Sequence, residues 1–316
     1  MSLSVLRTAD AWWVLTADGS AARVATDAAT TAELLADRAA IEAAAAGAGG
    51  TDPVDIATLD LVSPVTAPCR VVAQMTNYVS HVKDSGMDPE TVPLTFFRKA
   101  SGSISGPVDD VLRPAHVRFL DYEVELGLVI GSALEVGDEV TEASWSSYVA
   151  GFVVTNDVSA RDVQLPKTQF YEAKSYPTFT PVGPRLVLLD EAEVRRFREL
   201  RLRLSVNGEV RQDSTGGDMI YSPVQALAAL ARFQRLAPGD LVLTGTPGGT
   251  ALKAPPRPIE IIGALLPPAV KWRAFFKRQA ENPKYLQDGD LVEASIATPD
   301  GAIDLGVQRT TVRWTR

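Results

Sequence analysis

Cysteine occurs once in these 316 residues, as Cys69, and histidine only twice, as His81 and His116. One cysteine excludes an internal disulfide and any zinc site built on several thiolates. Two histidines cannot assemble a His-rich zinc or copper site, so a bound metal must be held mainly by oxygen, which favours Mg²⁺ or Mn²⁺. No apolar run is long enough to cross a bilayer, and the opening MSLSVLRTAD lacks the hydrophobic stretch of a signal peptide. Basic residues are outnumbered, 31 Lys and Arg against 39 Asp and Glu, for a net charge of −8. With a pI near 5.0, that balance argues against a nucleic acid or anionic membrane as partner. These absences together lead to the expectation of a soluble, cytoplasmic protein.

What is present suits a folded chain of one large domain, or of a small one and a large one. Hydrophobic residues make up 46% and charged residues 22%, enough apolar material for a substantial core. Residues 1–65 read as a small N-terminal α/β unit. AWWVLTADGSAARV suggests two strands around a turn at Ala17 to Gly19, and Thr30 to Ala46 has helical composition and spacing up to Gly47. Residues 66–316 are mostly strands and turns. Asn207-Gly208 suits a two-residue hairpin, and Ser222-Pro223 opens a helix. A Gly-Asp turn precedes a strand at both Gly239 and Gly289. Many short strands with few helices point to a mixed α/β, β-rich domain of rolled or barrel-like sheets. Residues 254–286 interrupt it with a proline-rich stretch and an amphipathic helix bearing Trp272, Phe275 and Phe276. Surface padding, a lid over a site and a subunit contact are all open for that helix.

DYEVELGLVIG, Asp121 to Gly131, is the most telling stretch. It alternates as a strand would, with Asp121, Glu123 and Glu125 on one side and Tyr122, Val124, Leu126 and Leu128 on the other. Residues two apart on a strand are only ~6.6 Å apart along it, so Glu123 and Glu125 oppose each other's ionisation unless water, a base or a cation intervenes. A wet acidic face is one reading. The apolar run from Leu126 to Ile130, which should lie deep in a core, makes a bound metal ion the other.

Several segments in order resemble the fumarylacetoacetate hydrolase family, over roughly Val71 to Arg316. They are NYVSH at Asn77 to His81, DYEVELGLVIG, NDVSARDVQ at Asn156 to Gln164, AKSY around Lys174 with PVGP to Pro184, VNGEVRQDS, and LTGTPGG at Leu243 to Gly249. The resemblance implies a mixed β-roll core, an Mg²⁺ or Mn²⁺ centre, a homodimer, and chemistry on small 2-oxo or 1,3-diketo acids. It makes Glu123, Glu125 and Asp157 the metal ligands, although Asp157 taken alone reads first as a helix N-cap before Ser159 to Gln164. It gives Lys174 a substrate-side role and assigns substrate contacts to Arg161 and Gln164; pairing of Arg161 with Asp162 or another nearby acid is the alternative. Thr246 lies in a turn whose hydroxyl and backbone N–H groups could bind a carboxylate. Tyr78 is either a pocket wall or core. His81 matches the histidine that activates water in hydrolytic members. The glutamate that orients it in many of them is replaced here by Asp84, one methylene shorter. His116 is expected to be structural or exposed.

The activity implied is metal-dependent hydrolysis of a carbon–carbon bond in an acylpyruvate-like β-diketo acid. His81, supported by Asp84, would deprotonate water, and Lys174 would help to stabilise the departing enolate. Oxaloacetate decarboxylation and 2-oxo-enoic acid isomerisation or hydration are the alternatives within the family. A non-enzymatic scaffold that binds small acids is the alternative outside it.

Overall fold

A computed structural model describes residues 2–47, 52–255, 259, 263 and 265–316. Its backbone is a nine-stranded sheet in the order Ala21–Arg23, Trp12–Leu15, Leu3–Arg7, Leu186–Leu188, Val149–Asn156, Val124–Ile130, Leu241–Leu243, Val71–Gln74, Phe96–Lys99. A five-stranded sheet, Glu209–Thr215, Arg201–Val206, Leu291–Ala297, Asp304–Trp314 and Val111–Arg113, completes the mixed α/β architecture. Side chains of the large sheet alternate between two cores. Val71, Val129, Val153 and Leu241 meet Leu34 and Ile41 of the N-terminal helices, whereas Val72, Leu128, Val154 and Val242 share a core with Leu202 and Leu204 of the second sheet. A strand covered on both faces reads as a continuous apolar run. That is why Leu126 to Ile130 lacks a polar side.

Several local expectations hold. Asn207 and Gly208 take positive φ (52° and 81°) between paired strands, as the hairpin requires. Ser222 caps the helix Pro223–Leu230 in a capping box with Gln225. Other elements differ. The helix expected across Thr30 to Ala46 is two, Thr31–Ala36 and Arg38–Ala45, broken at Asp37. The N-terminal unit is not set apart, because Leu3–Arg7 pairs antiparallel with Leu186–Leu188 and joins the main sheet. Pairing removes an exposed strand edge and buries Val5 and Leu186 together.

The acidic stretch is not one strand either. Leu120–Asp121 pairs with Ser159–Ala160, the ladder is interrupted at Tyr122-Glu123, and Val124–Ile130 pairs with Val149–Asn156. The amphipathic helix forms over Pro268–Gln279 with no residue fully buried. Phe276 stacks on Phe119 with centroids 5.5 Å apart, and Trp272 stacks on Phe276 at 5.7 Å.

Candidate active site

The register of the two central strands builds the acidic cluster. Thr155 sits opposite Glu125 and Asn156 opposite Val124. The next residue, Asp157, therefore reaches Glu123, and its N–H donates to Glu123 O at 2.8 Å. Asn156 Oδ1 accepts from Glu123 N–H at 2.9 Å and holds the interruption in shape. Glu123, Glu125 and Asp157 are buried, and each offers a carboxylate oxygen within 4.8 Å of the others. The three positions expected to form a metal centre are thus brought together.

Three buried cations surround them. Arg161 Nε donates to Asp121 Oδ2 at 2.8 Å, its second nitrogen donates to Glu123, and its third to Gln164 Oε1 at 2.9 Å. Lys174 Nζ bonds Glu123 Oε2 at 2.6 Å and also Asp157. Lys99 Nζ bonds Asp157 from the other side and donates to Phe179 O at 2.8 Å. Counting Asp121, four buried carboxylates face three buried cations. The surplus falls on Glu125, which accepts from a backbone group, Gly245 N–H at 2.7 Å.

Electrostatics follow that geometry. Burial raises the Glu125 pKa well above the usual carboxylate value, and the charges of Asp157 and Glu123 raise it further. Burial pushes Glu123 the same way, but Arg161, Lys174 and His81 more than reverse it and hold it far below. Burial lowers Lys99 despite Asp157 beside it, whereas Lys174 is raised on balance because Asp157 and Glu123 outweigh its burial. A cluster of hard oxygen donors with excess negative charge fits a small divalent cation.

The turn after Leu241–Leu243 closes one side. Gly245 has φ of +84°, and a Cβ there would lie 2.9 Å from Asn77 Cβ. Asn77 Nδ2 in turn donates to Thr244 O at 2.8 Å. Gly249 has φ of +104°, and a Cβ there would lie 2.0 Å from Arg211 O, so that position excludes any other residue. Thr246 lines the cavity, but its hydroxyl donates to Val124 O at 2.9 Å and accepts from Gln212 Nε2 at 2.8 Å. That proton is not free for a substrate carboxylate, so the Thr246 hydroxyl braces the turn.

His81, on the helix Val79–Asp84, faces the cavity. Its Nδ1 is buried without a hydrogen-bond partner, and burial lowers its pKa, which keeps the imidazole neutral. Asp84 does not support it as expected. One Asp84 oxygen accepts from Gly249 N–H at 3.0 Å, and the other lies 3.5 Å from Lys253 Nζ. Three residues further along a six-residue helix, the shorter side chain is drawn to the glycine turn.

Tyr78 is fully buried in the core and does not line the cavity, so it is no pocket wall. Gln164 does line it, with its amide oxygen held by Arg161. Arg161 faces the cavity too but is committed to Asp121 and Glu123; Asp162 pairs instead with Arg118 at 3.7 Å. His116 is exposed, 2.8 Å from Tyr176 Oη, and away from the cavity. No described residue of Pro268–Gln279 lines it.

Sequence reasoning missed Lys99, Asp121 as an anchor for Arg161, and Gln212, whose Oε1 accepts from Val124 N–H at 3.0 Å. Lys99 had one signal. Alternation on Phe96–Lys99 puts it on the face of Phe97, opposite the exposed Arg98. The cavity above these groups measures about 490 Å³.

The model of the fumarylacetoacetate hydrolase C-terminal family matches residues 70–313. The mitochondrial oxaloacetate tautomerase FAHD2A of Homo sapiens is 38% identical over 198 residues, which cover 62% of this chain and 61% of that protein's length. The 2,4-didehydro-3-deoxy-L-rhamnonate hydrolase of Sphingomonas sp. (strain SKA58) is 38% identical over 227 residues, covering 69% and 76%. Among solved structures, a probable 2-hydroxyhepta-2,4-diene-1,7-dioate isomerase from Mycobacterium abscessus superposes with a TM-score of 0.76 at 29% identity, over 100% of both chains.

Proposed function

The chain belongs to the fumarylacetoacetate hydrolase family, and from that premise we propose that it hydrolyses a carbon–carbon bond in an acylpyruvate-like β-diketo acid. The observation that carries this reading is the surplus carboxylate. Glu123, Glu125 and Asp157 converge in a buried volume where, with Asp121, four carboxylates face two lysines and one arginine. Those three residues would hold Mg²⁺ or Mn²⁺. The cation, when bound, supplies Lewis acidity to the 2-oxo acid end of the substrate.

The protein's own groups do the rest. Arg161 fixes Glu123 and Asp121, and Lys99 fixes Asp157, so the donor set keeps its shape. His81, neutral and facing the cavity, accepts a proton from water as the oxygen attacks the distal carbonyl. Carbon–carbon cleavage leaves the electron pair on the enolate of the 2-oxo acid. Lys174 offers its positive charge there, and return of the proton gives a 2-oxo acid and a carboxylic acid. The test is turnover of an acylpyruvate panel with product identification, with and without chelator. Undiminished turnover in chelator would overturn the reading.

A second reading rests on Asp84. With that carboxylate bonded to Gly249 N–H and not to His81, His81 is free to move a proton within the substrate without activating water. Tautomerisation of oxaloacetate, isomerisation of a 2-oxo-enoic acid, or decarboxylation then replaces hydrolysis. Incorporation of solvent oxygen into the acid product separates the two. Turnover of any kind removes the reading as a non-catalytic acid-binding scaffold. A homodimer in the cytoplasm belongs to the proposal; its dimeric part is supported by the exposed apolar side chains Leu265, Leu266 and Val270 and is checked by sedimentation. No helix among the described residues is long and apolar enough to cross a membrane.

A further inference from the structure

We propose that the group carried at the far end of the substrate is apolar, an alkyl or aryl chain and not a second carboxylate. This rests on the site being a 2-oxo acid site, as argued above.

The cavity changes character with depth. Its buried floor is charged or polar: Glu123, Glu125, Asp157, Arg161, Lys174 and Thr246. Its half-exposed outer wall is largely apolar, formed by Met75, Met87, Phe97, Leu165, Phe170 and Leu252. Phe97 and Phe170 meet edge to face with centroids 5.3 Å apart, a rigid aromatic corner between the strand Phe96–Lys99 and the helix Phe170–Ala173. Lys174 Nζ lies 5.1 Å from the Phe97 ring centroid, so that ring marks the boundary between the two zones.

A distal carboxylate would need a cation of its own. Among the described residues lining the cavity, the cations are Arg161 and Lys174, both on the floor and both already paired with carboxylates. The outer wall adds only neutral polar groups, such as Ser85 and Thr168. A second carboxylate would lose its water against Phe170, Leu165 and Leu252 without replacement. An apolar chain gains there, by about fourfold in affinity for each methylene buried. At about 490 Å³ the cavity has room beyond a three-carbon 2-oxo acid.

Binding of unreactive 2-oxo acids to the Mg²⁺-loaded protein, followed by calorimetry, tests this apart from turnover. 2-Oxo-4-phenylbutanoate is expected to bind at least about tenfold more tightly than pyruvate, with 2-oxoadipate no tighter than pyruvate. Phe170→Arg is expected to reverse the order by supplying the missing cation, and unchanged melting would show that the variant is folded. Tighter binding of 2-oxoadipate than of 2-oxo-4-phenylbutanoate by the unaltered protein overturns this inference and leaves the 2-oxo acid reading standing. Absence of binding by all three, with Mg²⁺ bound, overturns that reading and this inference with it.

Discussion

Lys99 and Lys174 clasp the same carboxylate from opposite sides, Lys99 on Oδ1 of Asp157 and Lys174 on Oδ2. They are not equivalent. Lys99 is also tied to the chain through Phe179 O at 2.8 Å, whereas the other partner of Lys174 is Glu123, a second carboxylate of the proposed centre. Lys99 is placed to fix the site and Lys174 to respond to what enters it. Lys99→Met is therefore expected to destabilise the protein by about 3 kcal/mol, the cost of breaking a buried ion pair, with or without metal. Chemical denaturation measures it, and an unchanged midpoint and slope would remove Lys99 from this role.

Glu125 is the surplus carboxyl group, and its raised pKa means the folded protein holds a proton there more tightly than the unfolded chain does. The sign follows: its contribution is most favourable at acid pH and is lost as pH rises above the usual carboxylate range. Glu125→Gln keeps an oxygen to accept from Gly245 N–H. It is expected to raise the metal-free melting temperature near neutral pH by about 2 °C while abolishing stabilisation by Mg²⁺. A variant that melts lower without metal yet still responds to Mg²⁺ would refute this account.

The pKa of His81 is lowered from 6.5, chiefly by burial, so the base is deprotonated at neutral pH. The acid limb of kcat/KM is expected to have its midpoint below pH 6.5, since protonation removes activity only as pH falls through the lowered value. His81→Ala is expected to cost about 10²–10⁴-fold in hydrolysis and little in Mg²⁺ affinity. An acid limb above pH 7, or one that persists in His81→Ala, would assign the base elsewhere.

Asp84 distinguishes orientation of the base from support of the turn. Because it accepts from Gly249 N–H, Asp84→Asn should keep that bond through its amide oxygen and stay within about threefold of the parent kcat. Asp84→Ala should raise KM by about tenfold, the cost of one hydrogen bond to a charged group. A collapse of kcat in Asp84→Asn would show that its negative charge serves His81 after all.

The helix Pro268–Gln279 stands on Phe276, stacked against Phe119, and contributes no described residue to the cavity wall. Phe276→Ala is expected to cost about 2 kcal/mol of stability, less than a fully buried phenylalanine would. The ranking of acyl groups should stay the same. A changed ranking would restore a role for this helix over the site.

What the sequence determined by itself was short in range. Asn207-Gly208 announced its hairpin, Ser222-Pro223 its helix start, and the two-residue spacing of Glu123 and Glu125 their crowding, because each depends on backbone geometry within a few residues. The motif residues His81, Glu123, Glu125, Asp157, Lys174 and Thr246 then met at one cavity. Tertiary structure alone decided which partner each charge takes. Lys99 meets Asp157 across 58 residues and Gln212 meets Val124 across 88. Asp84 turns to Gly249 across 165 residues, and Tyr78 is sealed in the core instead of facing the cavity. No local pattern encodes those choices. A buried polar atom bonds to whatever group the docking of distant elements places within about 3 Å of it, and the burial that makes the bond necessary exists only once those elements have packed.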